Sequence, residues 1–160
     1  MEQHVVSGIA YSRDEAKVSL RRVKDKPGVS AGIFGPLAEA DISVDMIVQN
    51  VSADGNFADI TFTLPRKDLR KAIEVLERLK DQLGIEDIAH SADVAKVSVV
   101  GIGMRSHAGV AARMFKSLAD KGINIQAITT SEIKVSVLID EAYTELAVRA
   151  LHQAYGLDKA

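Results

Sequence analysis

Apolar residues recur along the chain with two periods, one typical of strands and one typical of helices. Val18 and Leu20 alternate with polar neighbours, and Val23 continues the apolar face one step out of phase. This alternation predicts a strand over residues 17–23 with one face in solvent. By the same criterion we predict a polar turn at residues 12–15 and further strands over residues 5–11, 42–51, 57–64, 85–90, 96–99, from 123 onward, and 134–139.

Helical spacing of apolar residues occurs four times. Residues 67–83 show it most clearly, and Gly84 stops that helix. Residues 29–40 are also amphipathic, but Pro36 interrupts them, so we expect a bent or irregular helix. The glycines of this segment would also permit close approach by a neighbour. The other two helices are predicted between a cap residue and an end residue, Ser106 to Gly122 and Asp140 to Tyr155.

From residue 17 to residue 90 the chain therefore runs strand, helix, strand, strand, helix, strand. Crossover connections between strands are right-handed, which limits the ways this order can fold. The order predicts a four-stranded antiparallel sheet with two helices on one face, the ferredoxin-like plan of the α+β class.

The second half of the chain repeats the first. Lys96-Val97-Ser98-Val99 mirrors Lys17-Val18-Ser19-Leu20, and residues 28–52 align with residues 109–133. An internal repeat of about 80 residues indicates two similar domains. Identical residues concentrate on the predicted core face, at Gly28/Gly109, Val29/Val110, Ala31/Ala112, Phe34/Phe115, Leu37/Leu118, Ala38/Ala119, Ile42/Ile123 and Ile47/Ile128.

The second repeat lacks a closing strand. Residues 156–160 are too short and polar to match the strand that residues 85–90 supply in the first repeat. The strand near the amino terminus, in contrast, has no partner in the first repeat. Because natural proteins cover open sheet edges, we predict that this strand completes the second domain. A domain of residues 16–92 would then be inserted within a domain formed by residues 1–15 plus 93–160.

Composition argues against several functions. The formal net charge is −2 and no run of Lys or Arg occurs, which disfavours nucleic acid and a membrane surface as partners. The chain has no Cys, and its four His lack other ligand residues at suitable spacing, so we expect no metal site. Gly101-Ile102-Gly103 lacks the third glycine of a dinucleotide turn, so we expect no cofactor. The first residues carry no leader pattern, which predicts a cytoplasmic protein.

Two stretches stand where a strand passes into a helix, residues 25–30 and 106–111. Asp25 and Ser106 are typical helix caps, and Pro27 is tolerated in a first helical turn. Free backbone N–H groups at such a turn point at anions. A zwitterionic amino acid needs these donors for its carboxylate and acceptors for its ammonium group. Taken alone, both residues are more often simple caps.

Long ordered motifs carry a family resemblance. They are K-V-S-L, D-K-P-G-V, V-D-M-I-V-Q-N-V-S and D-I-T-F-T-L-P in the first repeat, then V-G-I-G-M-R-S-H-A-G-V and T-S-E-I-K-V-S-V-L-I. Together they resemble the regulatory region of bacterial aspartate kinases, a tandem pair of ACT domains. The resemblance covers residues 6–155 and includes no kinase domain. It implies that this region has no catalytic residues of its own and regulates a kinase-bearing chain or domain. It also implies that the region forms a homodimer and binds threonine and/or lysine in feedback inhibition.

The resemblance also implies the effector contacts. Backbone N–H groups of residues 28–30 would bind the carboxylate, while Asp25, Gln49 and the carbonyls of residues 43–45 would bind the ammonium or a hydroxyl. Without the resemblance, Asp45 and Gln49 are more often solvent-facing strand residues. The implied positions in the first repeat are Asp25, Lys26, Pro27, Gly28, Val29, Ser30, Ser43, Val44, Asp45 and Gln49. Those in the second repeat are Val110, Ala111, Asn124, Ile125, Ser131 and Glu132.

Two other functions fit the same fold. The small regulatory subunit of acetolactate synthase has a similar length and would bind a branched-chain amino acid, but the D-K-P-G and M-R-S-H motifs argue against it. The second alternative is an RNA-binding module or an enzyme with the ferredoxin-like fold. With 4% aromatic residues there is no stacking platform for RNA, and no nucleophile and base pair up for catalysis.

Overall fold

The computed structural model describes residues 6–102 and 108–158, which form two compact units. The continuous unit is Asp14–Ala92, and the split unit joins Met1–Arg13 to Asp93–Ala160. Two long strands, β1 (Val6–Lys24) and β4 (Ile85–Gly101), contribute one segment to each unit.

Both long strands depart from the sequence prediction. We predicted a turn at residues 12–15 and a break between residues 90 and 96, but the chain stays extended through both. The turn prediction is wrong because distant groups bind the polar residues of this stretch. The Arg66 backbone N–H donates to Asp14 Oδ1 at 3.2 Å, and Arg66 Nε donates to the Glu15 carbonyl at 3.1 Å.

In the continuous unit the strand order is β2-β3-β1-β4, with β2 at Ile47–Val51 and β3 at Phe57–Leu64. Helices α1 (Val29–Glu39) and α2 (Leu69–Leu83) pack on one shared core, and a short 3-10 helix, Arg66–Asp68, precedes α2. This confirms the predicted α+β plan. The largest fully buried side chains of this core are Leu20, Ile33, Leu37, Ile60, Phe62, Leu64 and Leu76.

Strand β2 begins later than predicted. Residues 43–46 are not strand, because Thr63 binds them from both its backbone and its side chain. The Asp45 N–H donates to the Thr63 carbonyl at 2.9 Å, and the Met46 N–H donates to Thr63 Oγ1 at 3.1 Å.

A β-bulge explains the out-of-phase Val23. The register of β1 against β3 shifts between Leu20 and Val23, and Arg22 adopts a φ of 49°. The Arg22 N–H donates to Asp59 Oδ1 at 2.9 Å, and its guanidinium lies 3.9 Å from the centre of the Phe57 ring. The extra residue returns Val23 to the buried face.

Helix α1 continues through Pro36 and ends at Glu39. The expected close approach occurs at Gly32, where an added Cβ would lie 2.9 Å from Leu83 Cδ2. At Gly35 an added Cβ would meet nothing within 4 Å. Gly32 therefore lets α2 approach α1.

In the split unit the strand order is β1-β4-β6-β5, with β5 at Ala127–Thr130 and β6 at Lys134–Asp140. Helices α3 (Ala108–Asp120) and α4 (Thr144–Ala154) pack on its core. Val6 and Ile9 pack against the same core, and Ser7 Oγ donates to the Val100 carbonyl at 3.2 Å. The amino-terminal segment of β1 thus contributes to this unit.

Helix boundaries in the split unit differ in detail from the prediction. Gly122, with a φ of 72°, follows α3 as expected. Asp140 does not cap α4, because its carboxylate accepts the Ala142 N–H at 2.9 Å and so caps a 3-10 helix, Glu141–Tyr143, that precedes α4. The strand predicted from residue 123 begins at Ala127. The Ser106 cap lies outside the described residues.

The sheet registers reproduce the sequence repeat. Val18 pairs with Phe62, which pairs with Ile47, and the equivalent rungs join Val97, Val137 and Ile128. Each unit also has a hydrogen bond between hydroxyl side chains of paired strands. Ser19 on β1 bonds to Thr61 on β3 at 3.0 Å, and Ser98 on β4 bonds to Ser136 on β6 at 2.7 Å. Within the described ranges no helix has the length and apolar character needed to cross a membrane.

Candidate functional site

The D-K-P-G stretch forms a turn ahead of α1. The Val29 N–H donates to the Lys26 carbonyl at 3.2 Å, and Gly28 has φ 92° and ψ −9°. Pro27 and Gly28 therefore occupy the two central positions of a type II turn, the second of which requires a positive φ. The prediction that Asp25 caps the helix and Pro27 lies in its first turn is wrong, because the helix begins at Val29 and no side chain bonds to its cap.

The first turn of α1 presents backbone donors. The N–H groups of Ser30 and Ala31 precede the first helical donor, the Gly32 N–H, which bonds to the Gly28 carbonyl at 2.9 Å. Ser30 is exposed, while the Val29 side chain is buried in the core. Val29 can contribute only backbone groups to a ligand. A carboxylate beside this turn would meet N–H dipoles and the positive end of the helix.

The predicted effector-contact residues of the continuous unit lie at opposite ends of its sheet. The Asp25 N–H donates to the Asn56 carbonyl at 2.9 Å, next to the start of β3, whereas the Asp45 N–H bonds to Thr63 near the end of β3. The six residue-to-residue steps from Phe57 to Thr63 correspond to roughly 20 Å of extended strand. The structure therefore brings the turn at residues 25–30 to one end and residues 43–45 to the other. Gln49 lies on β2 opposite Ile60, between the two ends, and is exposed.

The split unit repeats this separation. Ser131 lies at the end of β5, where the Gly101 N–H bonds to the Ile133 carbonyl at 2.8 Å. Asn124 and Ile125 precede Gln126, whose N–H bonds to the Leu138 carbonyl at the opposite end of β6. Among these side chains Asn124 is exposed, whereas Ile125 packs against the core.

Some predicted site residues already have structural roles. The Ser131 hydroxyl accepts the N–H groups of Ile133 at 3.3 Å and Lys134 at 3.2 Å, closing the hairpin. The buried Val110 receives a hydrogen bond on its carbonyl from the Tyr155 hydroxyl. Ala111 is half-buried and packs against the same core, and Glu132 is exposed.

The sequence pattern marks Tyr155 only as the end of the fourth helix, not as a residue that makes a tertiary contact. It follows α4 directly, half-buried, and burial raises the pKa of its phenol to about 12, although the nearby Arg113 guanidinium opposes that shift. Arg113 lies 5.9 Å from the centre of the ring. No periodicity marks this tyrosine, because its partner, the Val110 carbonyl, lies 45 residues away. The hydrogen bond joins the end of α4 to the first turns of α3.

Comparisons with known proteins agree with this architecture. Residues 18–81 and residues 97–155 each match the ACT domain family. Two ferredoxin-like units of this kind define an ACT-domain regulatory protein.

The relatives place the chain more narrowly among ACT-domain proteins. The chain is 56% identical to an aspartate kinase of Stutzerimonas stutzeri over 158 residues, which is 99% of this chain and 38% of that protein. A chain from the crystal structure of aspartokinase alpha and beta subunits is 52% identical, with a TM-score of 0.88 over 94% of this chain and 99% of that one. The regulatory subunit of aspartate kinase from Thermus thermophilus is 40% identical, with a TM-score of 0.88 over 94% and 98%. The chain belongs to the aspartate kinase family and comprises its ACT regulatory region, not the acetolactate synthase alternative.

Proposed function

We propose that the chain binds threonine and/or lysine and transmits feedback inhibition to the catalytic part of an aspartate kinase. The observation that carries this proposal is the uncapped first turn of α1, which the left-handed Gly28 opens toward solvent. Such a turn recognises the carboxylate of an amino acid without any catalytic group. We further propose that the ACT domain boundaries follow the continuous and split units, and that the protein acts in the cytoplasm.

The proposed complete site lies between two copies of the chain. Residues 25–30 supply carboxylate donors at one end of their sheet, and Asn124 with Ile125 supply polar and backbone groups at the opposite end of theirs. In the proposed two-fold dimer, the continuous unit of one copy lies beside the split unit of the other. Each such contact brings the two half-sites together, so the dimer has two complete effector sites. The outer strands β2 and β5 carry half-exposed apolar residues suited to such an interface, namely Ile47, Val51 and Ile128.

Calorimetric titration with threonine and with lysine tests the binding site. Gln49→Ala should weaken binding of the effector by about tenfold, since it removes a hydrogen bond of roughly 1.4 kcal/mol to a charged or polar ligand. Gln82→Ala, on the exposed face of α2, is the matched control and should leave the affinity unchanged. Absence of binding of both amino acids at millimolar concentration would contradict the proposal.

Inhibition of the reassembled enzyme tests the coupling. Effector coupling is typically worth about 1–3 kcal/mol and acts by shifting whole domains. Asp25→Ala should therefore relieve inhibition by the effector while uninhibited turnover stays nearly intact. If both turnover and inhibition fall together, the residue belongs to the structural frame and not to the effector site.

A further inference from the structure

A cleft of about 450 Å³ lies within the split unit between β1 and α4. Its volume is within the range of small-molecule sites. Tyr11 and Arg13 line it from β1, and residues spaced along one face of α4 line it from the other side. It shares no residue with the proposed effector positions.

Charges of both signs face this cleft. Arg13, Arg149 and His152 supply cationic or hydrogen-bonding groups, and Glu145 and Asp158 supply carboxylates. Val148 lies between Glu145 and Arg149 in sequence and contributes an apolar surface, as does the half-exposed ring of Tyr11.

The ion pairing in the cleft is unusual for a helix surface. Glu145 and Arg149 are four residues apart in the order that favours an ion pair along a helix. Glu145 instead reaches across the cleft to Arg13, with Oε1 and Nη2 at 3.9 Å, beyond hydrogen-bond distance. Within the described part of the chain, the Arg149 guanidinium makes no ion pair or hydrogen bond. Both carboxylate-binding and ammonium-binding groups thus remain accessible to a ligand.

We propose that this cleft binds a zwitterionic amino acid with an aliphatic side chain, at a site separate from the effector site. The ligand carboxylate bonds to the guanidinium of Arg149 and the imidazole of His152, because a planar guanidinium matches a carboxylate in a two-point contact. The ammonium group lies against Glu145 and Asp158, and the side chain contacts Val148 and the Tyr11 ring. A simple anion would leave the two carboxylates facing it, which is why a zwitterion fits better.

Titration by NMR with L-leucine tests the assignment. We expect shifts of the backbone resonances of β1 and α4 at millimolar leucine. Leucinamide, which lacks the carboxylate, and N-acetyl-leucine, which lacks the ammonium group, should each bind at least tenfold more weakly. Equal binding of the three compounds, or no shift with leucine, would overturn the proposal.

Variants locate the site. Arg149→Gln and Glu145→Gln should each weaken leucine binding at least fivefold, whereas Arg78→Gln, an exposed arginine of α2, should have no effect. Thermal melting of each variant verifies that it is folded. Gln49→Ala should leave leucine binding in this cleft unchanged. The experiment can therefore contradict the proposal for the cleft without contradicting the proposal for the effector site, and the reverse. Unaltered binding in Arg149→Gln would refute the assignment.

Discussion

Two pairs of hydroxyl side chains bridge equivalent rungs of the two units, and they differ in burial. The pair Ser98 and Ser136 is buried, whereas the pair Ser19 and Thr61 is partly exposed. A buried hydroxyl that loses its partner is costly, but removing both hydroxyls leaves no unpaired group. The two pairs therefore provide an internal comparison of the same interaction in two environments.

We predict that Ser98→Ala lowers the free energy of unfolding by about 1–3 kcal/mol, because the Ser136 hydroxyl is left unpaired. The double variant Ser98→Ala with Ser136→Ala should recover most of that loss. Ser19→Ala should cost less, since water reaches Thr61. Urea unfolding measures all three variants, and a double variant that loses the sum of the single losses would contradict the explanation.

Gly28 and Gly35 both lie at α1, but only Gly28 has a left-handed backbone conformation. Gly28→Ala should destabilise the protein by about 1–2 kcal/mol, since its φ of 92° is left-handed. Gly35→Ala should change the stability by less than about 1 kcal/mol, because the gain in helix propensity is opposed by contact of the new Cβ with the ring of Pro36, which follows directly. Midpoints of guanidinium unfolding measure both variants. A loss in Gly28→Ala no larger than the change in Gly35→Ala would show that the left-handed turn conformation is not what Gly28 provides.

Local sequence predicted part of this residue-scale detail. Pro27 followed by Gly28 is typical of a type II turn, yet Asp25 also favours a helix cap, and the bond of the Asp25 N–H to the distant Asn56 carbonyl has no local signal. The positive φ of Arg22 had no local signal, because its N–H acceptor Asp59 lies 37 residues further along. Conformations fixed by such distant partners are beyond prediction from neighbouring residues.

At the scale of elements, the hydrogen bond of the Tyr155 hydroxyl to the Val110 carbonyl links the end of α4 to the start of α3. Folding raises the pKa of this phenol from about 10 to about 12, so the native state holds the proton more tightly than the unfolded state. The resulting stabilisation is fully present below pH 10 and is lost as the pH rises toward 12. We expect the melting temperature to fall more steeply over this range in the natural protein than in Tyr155→Phe.

Absorbance titration near 295 nm provides the direct measurement. Tyr155→Phe should remove the component with a pKa of about 12. If the variant retains a component near pH 12, Tyr155 is not the buried phenol.

Most elements were predictable, and their junctions were not. Alternation of apolar residues located β3 and β6 to within about one residue, and helical spacing located α2 closely. The strands over residues 5–11 and 17–23 were predicted separately, because residues 12–15 have typical turn composition. Arg66 binds Asp14 and the Glu15 carbonyl, so tertiary contacts keep that segment extended. Of the proposed site, the sequence located the turn before α1, but the separation of its two ends required the sheet register.

At the scale of the whole molecule, the amino-terminal segment of β1 should stabilise residues distant in sequence. Deleting residues 6–11 removes Val6 and Ile9 from the core of the split unit and exposes the edge of β4 there. Hydrogen exchange should accelerate in β4 and β6 of that unit more than in β3 of the continuous unit. Faster exchange confined to β3 would contradict this arrangement.

The division into a continuous and a split unit has a consequence for synthesis on the ribosome. The 79 residues from Asp14 to Ala92 separate the first segment of the split unit from the rest of it. At about 5–20 residues per second, that segment waits roughly 4–16 seconds before residue 93 is added. The continuous unit can fold in that interval. Val6–Arg13 meanwhile lacks its strand partner in the split unit and is exposed to non-native strand pairing. Its last residue, Arg13, and the Asp14 and Glu15 that follow are charged, which suits a gatekeeper role against aggregation of the nascent chain.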